Sequence, residues 1–591
     1  MNNLNFAALP WVLAWALTGC GGGGGSSAGP PVRQPSPPDT HRYPYPPPPP
    51  RPTSLPLHIE GLYLTQGSQR LDRSVPLVQN RQGCLRVFVL ADRWSGPAPP
   101  VRVQILDRTG VPVLDQEIPG PGTGVPSVLR ETDLTGSWNL MVDGACIQPG
   151  STLTAQVEAP PGVPAGNLNY PAEGGALALD VVPVAPLRIT LVPIRCREGL
   201  GRVLAAPGHG TLPARTKESW VENLELNFPL DRIEVEVAAR PFDTTLDPQD
   251  EAQQSQLLNQ LEMKRLEDRQ EYVYYYGVYP ARGGGVRNRT GRGFQPAFPG
   301  PSNRSALGWD AENAGYGYQE ALTHELGHNL GLGHAPCGSD QFPKLLDPDF
   351  PYPDGGIGAC GFNLKTRTPV DPAVTKDHMS YCRPAWASDY DCRRILAFRK
   401  DEPMAPPRTA HAEDQDGLLV GGVIRQGRAK LDPAFQAHRP PLAVRAGEYR
   451  LEALDEAGQV LAEQAFTPAA EEDGDEAEAF VLFLPLDPHR QASLAALRVT
   501  RVGAVLGELR PAPHGRGITG FHPRALRGPH GLARLTWDAR AYPEVMVKDP
   551  HTGEVVAMGR GGRLELDAPG PSLEAHFSDG LRTVVVTVPV L

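Results

Sequence analysis

One short segment carries residues able to bind and use a metal ion. The segment HELGHNLGLGH begins at His324. His324 and His328 are four residues apart, so on a helix they lie on one face and can share a metal ion. Glu325 lies between them, within reach of a water molecule on that metal. Gly331 tolerates positive φ, so the chain can turn there and bring His334 back as a third ligand. Three protein nitrogens and an open fourth position are typical of catalytic zinc, so the segment predicts one catalytic Zn²⁺.

The spacing of these residues resembles the signature of the metzincin zinc proteases, H-E-x-x-H-x-x-G-x-x-H. That family also has a methionine in a tight turn beneath the zinc. Met379, in the sequence DHMSYC, stands downstream at a plausible distance. Its M-S-Y order is similar to that of the serralysins and astacins. The segments HNLGLGHAPCG and MSYC are closest to the StcE-like secreted proteases, which cleave heavily glycosylated proteins. The resemblance covers about residues 190–400, and Ala335 departs from the Glu, Pro or Ser usual at its position.

The resemblance implies a mechanism and a role for each site residue. His324, His328 and His334 hold the zinc, and Glu325 acts as general base on a water molecule. Tyr381 is implied as a fifth ligand or as a stabiliser of the tetrahedral intermediate, with a packed structural tyrosine as the alternative. In this family the substrate lies antiparallel to an edge strand, which we place at 295–313.

Eight cysteines are present, and four of them cluster between residues 337 and 392. An exported chain is permitted disulfides, although four cysteines alone allow three pairings. We predict Cys337–Cys382 and Cys360–Cys392 in one subdomain and Cys84–Cys146 upstream, which leaves Cys196 free. A zinc-thiolate cluster is the other interpretation, but no C-x-x-C occurs.

The N-terminus has the features of a secretion signal and a tether. Residues 4–17 are almost all apolar but too few to span a membrane, which needs about 20 residues. They lead into Leu-Thr-Gly-Cys, which resembles a bacterial lipobox with Cys20 as the lipidated residue. A glycine run follows, and residues 30–56 hold 13 prolines in 27 positions, typical of a semi-rigid spacer. We therefore expect an exported protein, lipid-anchored at the bacterial cell envelope, at the outer membrane or the cell surface.

Length and patterning predict several domains. At about 150 residues per domain, 591 residues correspond to about four. Short strand-like runs separated by Gly and Pro dominate both flanks, whereas the middle mixes strands near 187–194 and 272–280 with helices near 250–270 and 316–330. We expect a multidomain chain with an α/β (α+β) metzincin-like catalytic domain flanked by all-β sandwich-like domains. The expected divisions are signal peptide 1–20, tether 21–57, β-sandwich 58–185, catalytic domain 186–402 and β-domains 403–510 and 511–591.

Composition and the remaining signals narrow the function. The net charge of −11 argues against a general nucleic-acid binder. Arginines at 282–293 could grip an anionic substrate, although a solvated loop is the simpler interpretation. A calcium site at Asp347, Asp349 and Asp354 is a minor alternative without further support. The leading hypothesis is a surface-anchored zinc endopeptidase acting on extracellular proteins, glycoproteins included. The alternative is an adhesin or carbohydrate-binding lipoprotein on a catalytically retired protease scaffold. The sequence says nothing of oligomeric state.

Overall fold

The computed structural model describes residues 56–591, apart from residues 93 and 95 and nine short segments. These segments are 162–165, 207–213, 283–289, 313–315, 339–345, 406–412, 472–476, 514–520 and 529–530. The predicted signal peptide, the lipidation site at Cys20 and nearly all of the tether therefore lie outside the described residues. Among the residues described, no helix is long and apolar enough to cross a membrane.

The N-terminal region of the described chain consists of strands, as the alternating sequence pattern predicts. Along β5, for example, buried Val101, Val103 and Ile105 alternate with more exposed residues. Two sheets, ordered β1-β4-β7 and β10-β8-β5-β6, enclose one hydrophobic core around Trp138. The strands are β1 (His58–Thr65), β2 (Ser68–Gln69), β3 (Leu77–Val78), β4 (Gly83–Leu90), β5 (Val101–Leu106), β6 (Pro112–Ile118), β7 (Trp138–Val142), β8 (Thr152–Val157), β9 (Asn169–Tyr170), β10 (Leu177–Ala178) and β11 (Val181–Val182).

The central region mixes strands and helices. Its elements are β12 (Leu187–Cys196), β13 (Gly199–Leu200), α1 (Lys217–Asn227), β14 (Ile233–Val237), β15 (Phe242–Thr244), α2 (Glu251–Glu267), β16 (Tyr274–Tyr279), β17 (Gly291–Gln295), β18 (Ser305–Trp309), α3 (Tyr318–Asn329), β19 (Cys360–Asn363), β20 (Thr368–Val370), β21 (Lys376–Asp377), β22 (Ala385–Trp386) and α4 (Asp389–Arg399). Strands β14, β12, β16 and β18 run parallel in that order, and β17 lies antiparallel beside β18. Helices α1, α3 and α4 pack in one core on this sheet, and α2 belongs to another.

Helix α2 is buried on every side, not only along the apolar face that the sequence predicts. Residues from Gln254 to Leu266 are all buried. Its polar side chains find partners far along the chain: Asn259 donates to Asp432 at 2.9 Å, and Gln260 donates to Glu544 at 2.8 Å. Because buried polar groups are costly unless hydrogen-bonded, these contacts fix the C-terminal strands around α2.

The C-terminal region is again made of strands, and short turns at 455–459 and 549–554 connect paired strands. β28 pairs with β17, and β35 pairs with β15, so one sheet of 16 strands crosses the expected boundaries at 402 and 510. The elements are β23 (Gln415–Arg425), β24 (Arg428–Leu431), β25 (Phe435–Arg439), β26 (Tyr449–Leu454), β27 (Val460–Phe466), β28 (Ala469–Glu471), β29 (Glu478–Pro485), α5 (Pro488–Ala492), β30 (Ala496–Arg501), β31 (Ala504–Leu509), β32 (Arg524–Arg527), β33 (Ala533–Thr536), β34 (Glu544–Lys548), β35 (Val555–Arg560), β36 (Arg563–Leu566), β37 (Ser572–Ser578) and β38 (Thr583–Pro589).

One predicted disulfide is confirmed and two are wrong. Cys337 and Cys382 are bonded, whereas Cys84, Cys146, Cys360 and Cys392 are free thiols, as is Cys196. The thiol of Cys360, on β19, faces the carbonyls of Glu131 and Val370, while Cys392 is buried in the core that α4 joins. Cys84 lies within β4 opposite Met141, but Cys146 comes after the end of β7 and points at the Val113 carbonyl. Both wrong pairings were predicted from closeness in the sequence, which does not bring these thiols together in the fold.

Candidate metal centre

Helix α3 presents the central residues of the HELGHNLGLGH segment. The helix begins after Gly317, whose backbone N–H donates to Glu320 at 3.0 Å. It ends at Asn329, and Gly331 follows with φ of 83°, in the left-handed region that favours glycine. The chain turns there and places His334 beside the helix, as the spacing predicts. A Cβ at Gly331 would also stand 2.7 Å from the Phe398 ring, so glycine is required on two grounds.

The three histidines converge on one point. Their candidate ligand atoms lie within 4.8 Å of one another, and all three residues are buried. Nε2 of His324 and Nε2 of His334 are 3.2 Å apart. Two nitrogens at about 2.05 Å from a tetrahedral zinc ion would be about 3.3 Å apart, so the spacing fits that ion. Imidazole nitrogens are also among the ligands that zinc prefers. The residues present therefore fit the predicted metal.

Backbone carbonyls orient two of the rings. Nδ1 of His324 lies 3.3 Å from the carbonyl of His378, and Nδ1 of His328 lies 2.9 Å from the carbonyl of Leu332. With the proton on Nδ1, each ring turns its Nε2 lone pair toward the centre. Burial lowers the pKa of the His378 ring well below its ordinary value, so this residue stays neutral and contributes through its carbonyl. His378 is not among the site residues predicted from the sequence.

Glu325 is buried between α3 and β17, where two glycines make room for it. A Cβ at Gly291 would overlap the Glu325 carboxylate, and a Cβ at Gly293 would stand 2.7 Å from the Glu325 carbonyl oxygen. Asn329 donates to the carbonyls of Phe294 and Ser305 at 2.7 and 3.0 Å, tying the end of α3 to β17 and β18. Gly291, Gly293 and Asn329 are not among the site residues predicted from the sequence. The Gly-x-Gly at 291–293 is nevertheless a signal for close backbone approach.

The arginine at the centre of that Gly-x-Gly does not face a substrate. Arg292 is fully buried and pairs with Glu471 at 2.8 Å, where it also donates to Ser255. Both interpretations of 282–293, the solvated loop and the anion grip, are therefore wrong for Arg292, because it is buried and its charge is neutralised inside the protein. Residues 283–289 lie outside the described part of the chain.

Met379 lies in a tight turn beneath the helix. Ser380 N–H donates to the carbonyl of Asp377 at 3.1 Å, which closes the turn, and the Asp377 carboxylate accepts from Met379 N–H at 2.7 Å. The Met379 side chain is fully buried against Gly327, where a Cβ would stand 2.5 Å from its Sδ. The helix turn between Glu325 and His328 therefore rests directly on the methionine.

A second carboxyl group supports this turn. Burial raises the pKa of Asp377 and raises that of its hydrogen-bonded neighbour Asp391 well above its ordinary value. Asp377 also accepts the backbone N–H of Ser388 at 2.8 Å. Because these donors favour a charged Asp377, the shared proton resides on Asp391.

Tyr381 reaches the histidines from the other side of the turn. Its hydroxyl lies 3.2 Å from Nε2 of His334, and its ring is stacked on that of His324 with centroids 5.6 Å apart. The side chain is partly exposed, so the prediction of a merely packed tyrosine describes it poorly. The Cys337–Cys382 bond and the hydrogen bond from Tyr381 N–H to the Cys337 carbonyl, at 3.1 Å, hold it there.

The three aspartates considered for calcium do not form a site. Asp347 accepts hydrogen bonds from Tyr390 and from the backbone of Asp349, whereas Asp354 pairs with Lys376 at 2.7 Å. In the described part of the chain the only group of metal-ligating side chains is the histidine cluster.

A cleft opens from the histidines. It has a volume of about 740 Å³ and is lined by His328 and His334 on one side. Residues of the C-terminal strands, among them Tyr449 and Arg501, form the opposite wall. A cavity of this size is typical of a ligand-binding site.

Comparisons with known proteins give no relative for this chain. No family model matches it, and no curated protein matches it. Among solved structures, a beta-glycosidase from Bacteroides vulgatus is 9% identical over 90% of this chain and 80% of that chain, with a TM-score of 0.14. A beta-glucuronidase from Parabacteroides merdae is 8% identical over 90% and 77%, with a TM-score of 0.15. The native alpha-2-macroglobulin of E. coli is 10% identical over 90% and 26%, with a TM-score of 0.15. Scores this low carry no argument about fold or activity.

Proposed function

We propose that the protein is a zinc-dependent endopeptidase of the metzincin type. The observation that carries the proposal is the convergence of His324, His328 and His334 at zinc-compatible spacing, with the Glu325 carboxylate on the adjoining helix position. Three nitrogens leave a tetrahedral ion one open position, which a structural zinc site would close with a fourth ligand. An open position beside a carboxylate is the arrangement that hydrolysis requires.

Two further features support the metzincin assignment. Met379 occupies a tight turn directly beneath the histidine helix, as the resemblance implies. The region 295–313, expected to supply the substrate-binding edge, contains β18, which is paired on both sides by β16 and β17. We therefore assign substrate pairing to β17 instead, which packs along α3. Backbone groups of a substrate pairing with such an edge would supply part of its binding energy.

The residues of the chain divide the work of hydrolysis. Zinc bound by the three imidazoles would supply Lewis-acid activation of a water molecule and of the scissile carbonyl. Glu325 takes the proton from the attacking water and delivers it to the leaving amine. The hydroxyl of Tyr381, close to His334, donates a hydrogen bond to the oxyanion that develops on the carbonyl. Carbonyls of His378 and Leu332 keep the imidazole tautomers fixed throughout.

Substrate and location follow from the resemblance and the N-terminal sequence. The proposed substrates are extracellular proteins, including glycoproteins, as for the StcE-like proteases. On this proposal the chain is exported and anchored by lipid at Cys20, and its proline-rich spacer holds the enzyme away from the membrane.

The test is a comparison of residues 56–591 with a Glu325→Ala variant. Zinc content is measured by mass spectrometry of the metal, and cleavage of a panel of plain and mucin-type proteins is measured by peptide mass spectrometry. We expect about one zinc per chain in both proteins and cleavage by the wild type only, abolished by a zinc chelator. Glu222→Ala, at a partly exposed glutamate that pairs with Lys365 on the surface, serves as the matched control and should behave as wild type.

Two outcomes would contradict the proposal. Cleavage that persists in Glu325→Ala would refute the role of that carboxylate. Bound zinc without cleavage of any protein would favour the alternative of a binding protein on a retired scaffold.

A further inference from the structure

The cleft beside the histidines has walls from two regions that lie far apart in the sequence. Gln295, His328 and His334 belong to the central region, whereas Ala504 and Leu506 on β31 belong to the C-terminal strands. The C-terminal strands therefore do not merely flank the candidate site, because they line part of the cleft that opens beside it.

Strand β28 also lines this cavity and joins the C-terminal strands to β17. Its residues Ala470 and Glu471 pair with Gln295 and Phe294 of β17, on the edge away from β18. The buried ion pair between Arg292 and Glu471, with both side chains fully buried, locks the two strands together. Removing one partner of such a pair leaves an uncompensated buried charge, so the contact resists opening.

The position of β28 also limits how an extended chain can bind. A substrate strand that pairs with the outer edge of β17 meets β28 at Phe294 and cannot continue along the sheet. The cavity of about 740 Å³ begins at this point, since Gln295 of β17 and Glu471 of β28 both line it. That volume is several times that of a single side chain, so it can hold a bulky residue and its neighbours.

On the wall formed by the C-terminal strands, an arginine packs over a tyrosine ring. The guanidinium of Arg501 lies 5.1 Å from the centre of the Tyr449 ring, and Tyr449 donates to Glu478 at 2.5 Å. Burial and the neighbouring Glu478 raise the pKa of Tyr449 to about 12, so its hydroxyl stays protonated and keeps this bond. Ala504 stands opposite Arg501 in the β30–β31 pair, and its small side chain lines the same cavity as Arg501 and Tyr449.

We propose that the C-terminal β-strands form a specificity wall, in which Arg501, Ala504 and Leu506 receive the substrate residues on one side of the scissile bond. The inference rests on the proposed protease function and extends it. The wall selects by size and by contact with the Arg501–Tyr449 surface, while the bond is hydrolysed at the histidines. Substrate preference on the other side of the bond is set elsewhere.

The test places a large side chain in the cavity by substituting a residue of this wall. Ala504→Trp places a large ring in the cavity, and Val505→Trp places the same ring one residue along, at an exposed position that does not line the cavity. Arg501→Ala is matched by Arg450→Ala, another exposed arginine paired with a glutamate in the same sheet. Each protein cleaves a library of peptides, and kcat/KM and the residue preference on both sides of the cut are measured. Affinity for uncleaved substrate is measured in the Glu325→Ala background, and zinc content is measured in every variant.

We expect Ala504→Trp to lower kcat/KM at least about 10-fold and to change residue preference on one side of the cut only. Arg501→Ala should raise KM about 5-fold with little change in kcat, and binding in the Glu325→Ala background should weaken in parallel. Val505→Trp and Arg450→Ala should stay within about 2-fold of wild type, and zinc content should be unchanged. Equal behaviour of the two tryptophan variants, or altered preference on both sides of the cut, would overturn the wall while leaving the protease standing. A wild type that cleaves nothing would overturn both proposals together.

Discussion

Because Gly327 packs against Met379, we expect Gly327→Ala to destabilise the protein, whereas Gly→Ala in a helix usually stabilises it. In an ordinary helix interior, Gly→Ala stabilises by about 1 kcal/mol. Here the new Cβ would stand 2.5 Å from Sδ and 3.2 Å from Cε of Met379, which is fully buried. Carbon contacts are favourable only beyond about 3.5 Å, and overpacking costs about 1–3 kcal/mol. Taking about 3 kcal/mol for so close an approach and subtracting the gain of about 1 kcal/mol in helix propensity, we expect Gly327→Ala to destabilise α3 by about 2 kcal/mol.

The assay is hydrogen exchange of the α3 amides, since a chain of this size does not unfold as one two-state unit. A loss of about 2 kcal/mol corresponds to about 30-fold faster exchange through local opening. Because His324 and His328 flank the disturbed turn, zinc affinity should fall as well.

A double-mutant cycle separates the contact from other effects. Met379→Ala alone removes a buried side chain and should cost about 2–5 kcal/mol. In that background the clash is gone, so Gly327→Ala should stabilise by its ordinary ~1 kcal/mol, giving a coupling of about 3 kcal/mol. The reasoning is refuted if Gly327→Ala slows exchange in the presence of Met379, since the helix would then be insensitive to the methionine beneath it.

Three further predictions concern the same turn. Replacing Cys337 and Cys382 by serine removes the bond that closes a loop with a sequence separation of 45. Chain entropy predicts a loss of about 4 kcal/mol in stability, measured as faster hydrogen exchange at 377–383. Unchanged exchange would show that the turn is stable without the bond. Tyr381→Phe should lower kcat about 100-fold with KM and zinc content unchanged, because one donor to the oxyanion is lost; an unaltered kcat would remove Tyr381 from the mechanism. The raised pKa of Asp391 means that the unfolded chain loses this proton at lower pH than the folded one, so the contribution of this carboxyl to stability falls as pH rises above about 4. Asp391→Asn keeps a donor for Asp377 without that proton. At equal pH, its amides at 377–383 should therefore exchange more slowly than those of wild type by a margin that grows toward pH 8, and a margin that shrinks would contradict the shared proton.

Elements with a strong periodic pattern could be predicted from the sequence, whereas those defined by distant partners could not. Strand β12 and helix α3 lie where the apolar pattern and the histidine spacing place them. Helices α1 and α4 were missed, although each begins after a capping residue, Thr216 and Ser388. Both are short, with few apolar positions, so the caps were their main signal.

The polar side chains of α2 show why packing between distant parts of the chain could not be predicted from the sequence. Asn259 and Gln260 predict an exposed helix face, yet their partners Asp432 and Glu544 lie more than 150 residues away. Tertiary hydrogen bonds therefore overrode the amphipathic pattern.

At the candidate site, residue types were predictable but their supports were not. The spacing of His324, His328 and His334 requires only local geometry, and the structure brings them together. The carbonyls that orient them and the glycines that admit Glu325 belong to the backbone, which leaves little trace in a single sequence. Cysteine pairing depends on which elements become neighbours, so one of three pairings was right.

The sheet that joins β17 to β28 and β15 to β35 has a consequence for biosynthesis. A ribosome delivers the histidine segment when little more than half of the chain has been made, but Glu471 and the strand at Val555–Arg560 emerge much later. Until then the Arg292–Glu471 ion pair cannot form, and α2 lacks its hydrogen bonds to Asp432 and Glu544, so the cleft lacks one wall. On the proposed protease function, the substrate site would be complete only near the end of synthesis. Translation intermediates ending before residue 410 should then cleave no protein, although all three histidines are present.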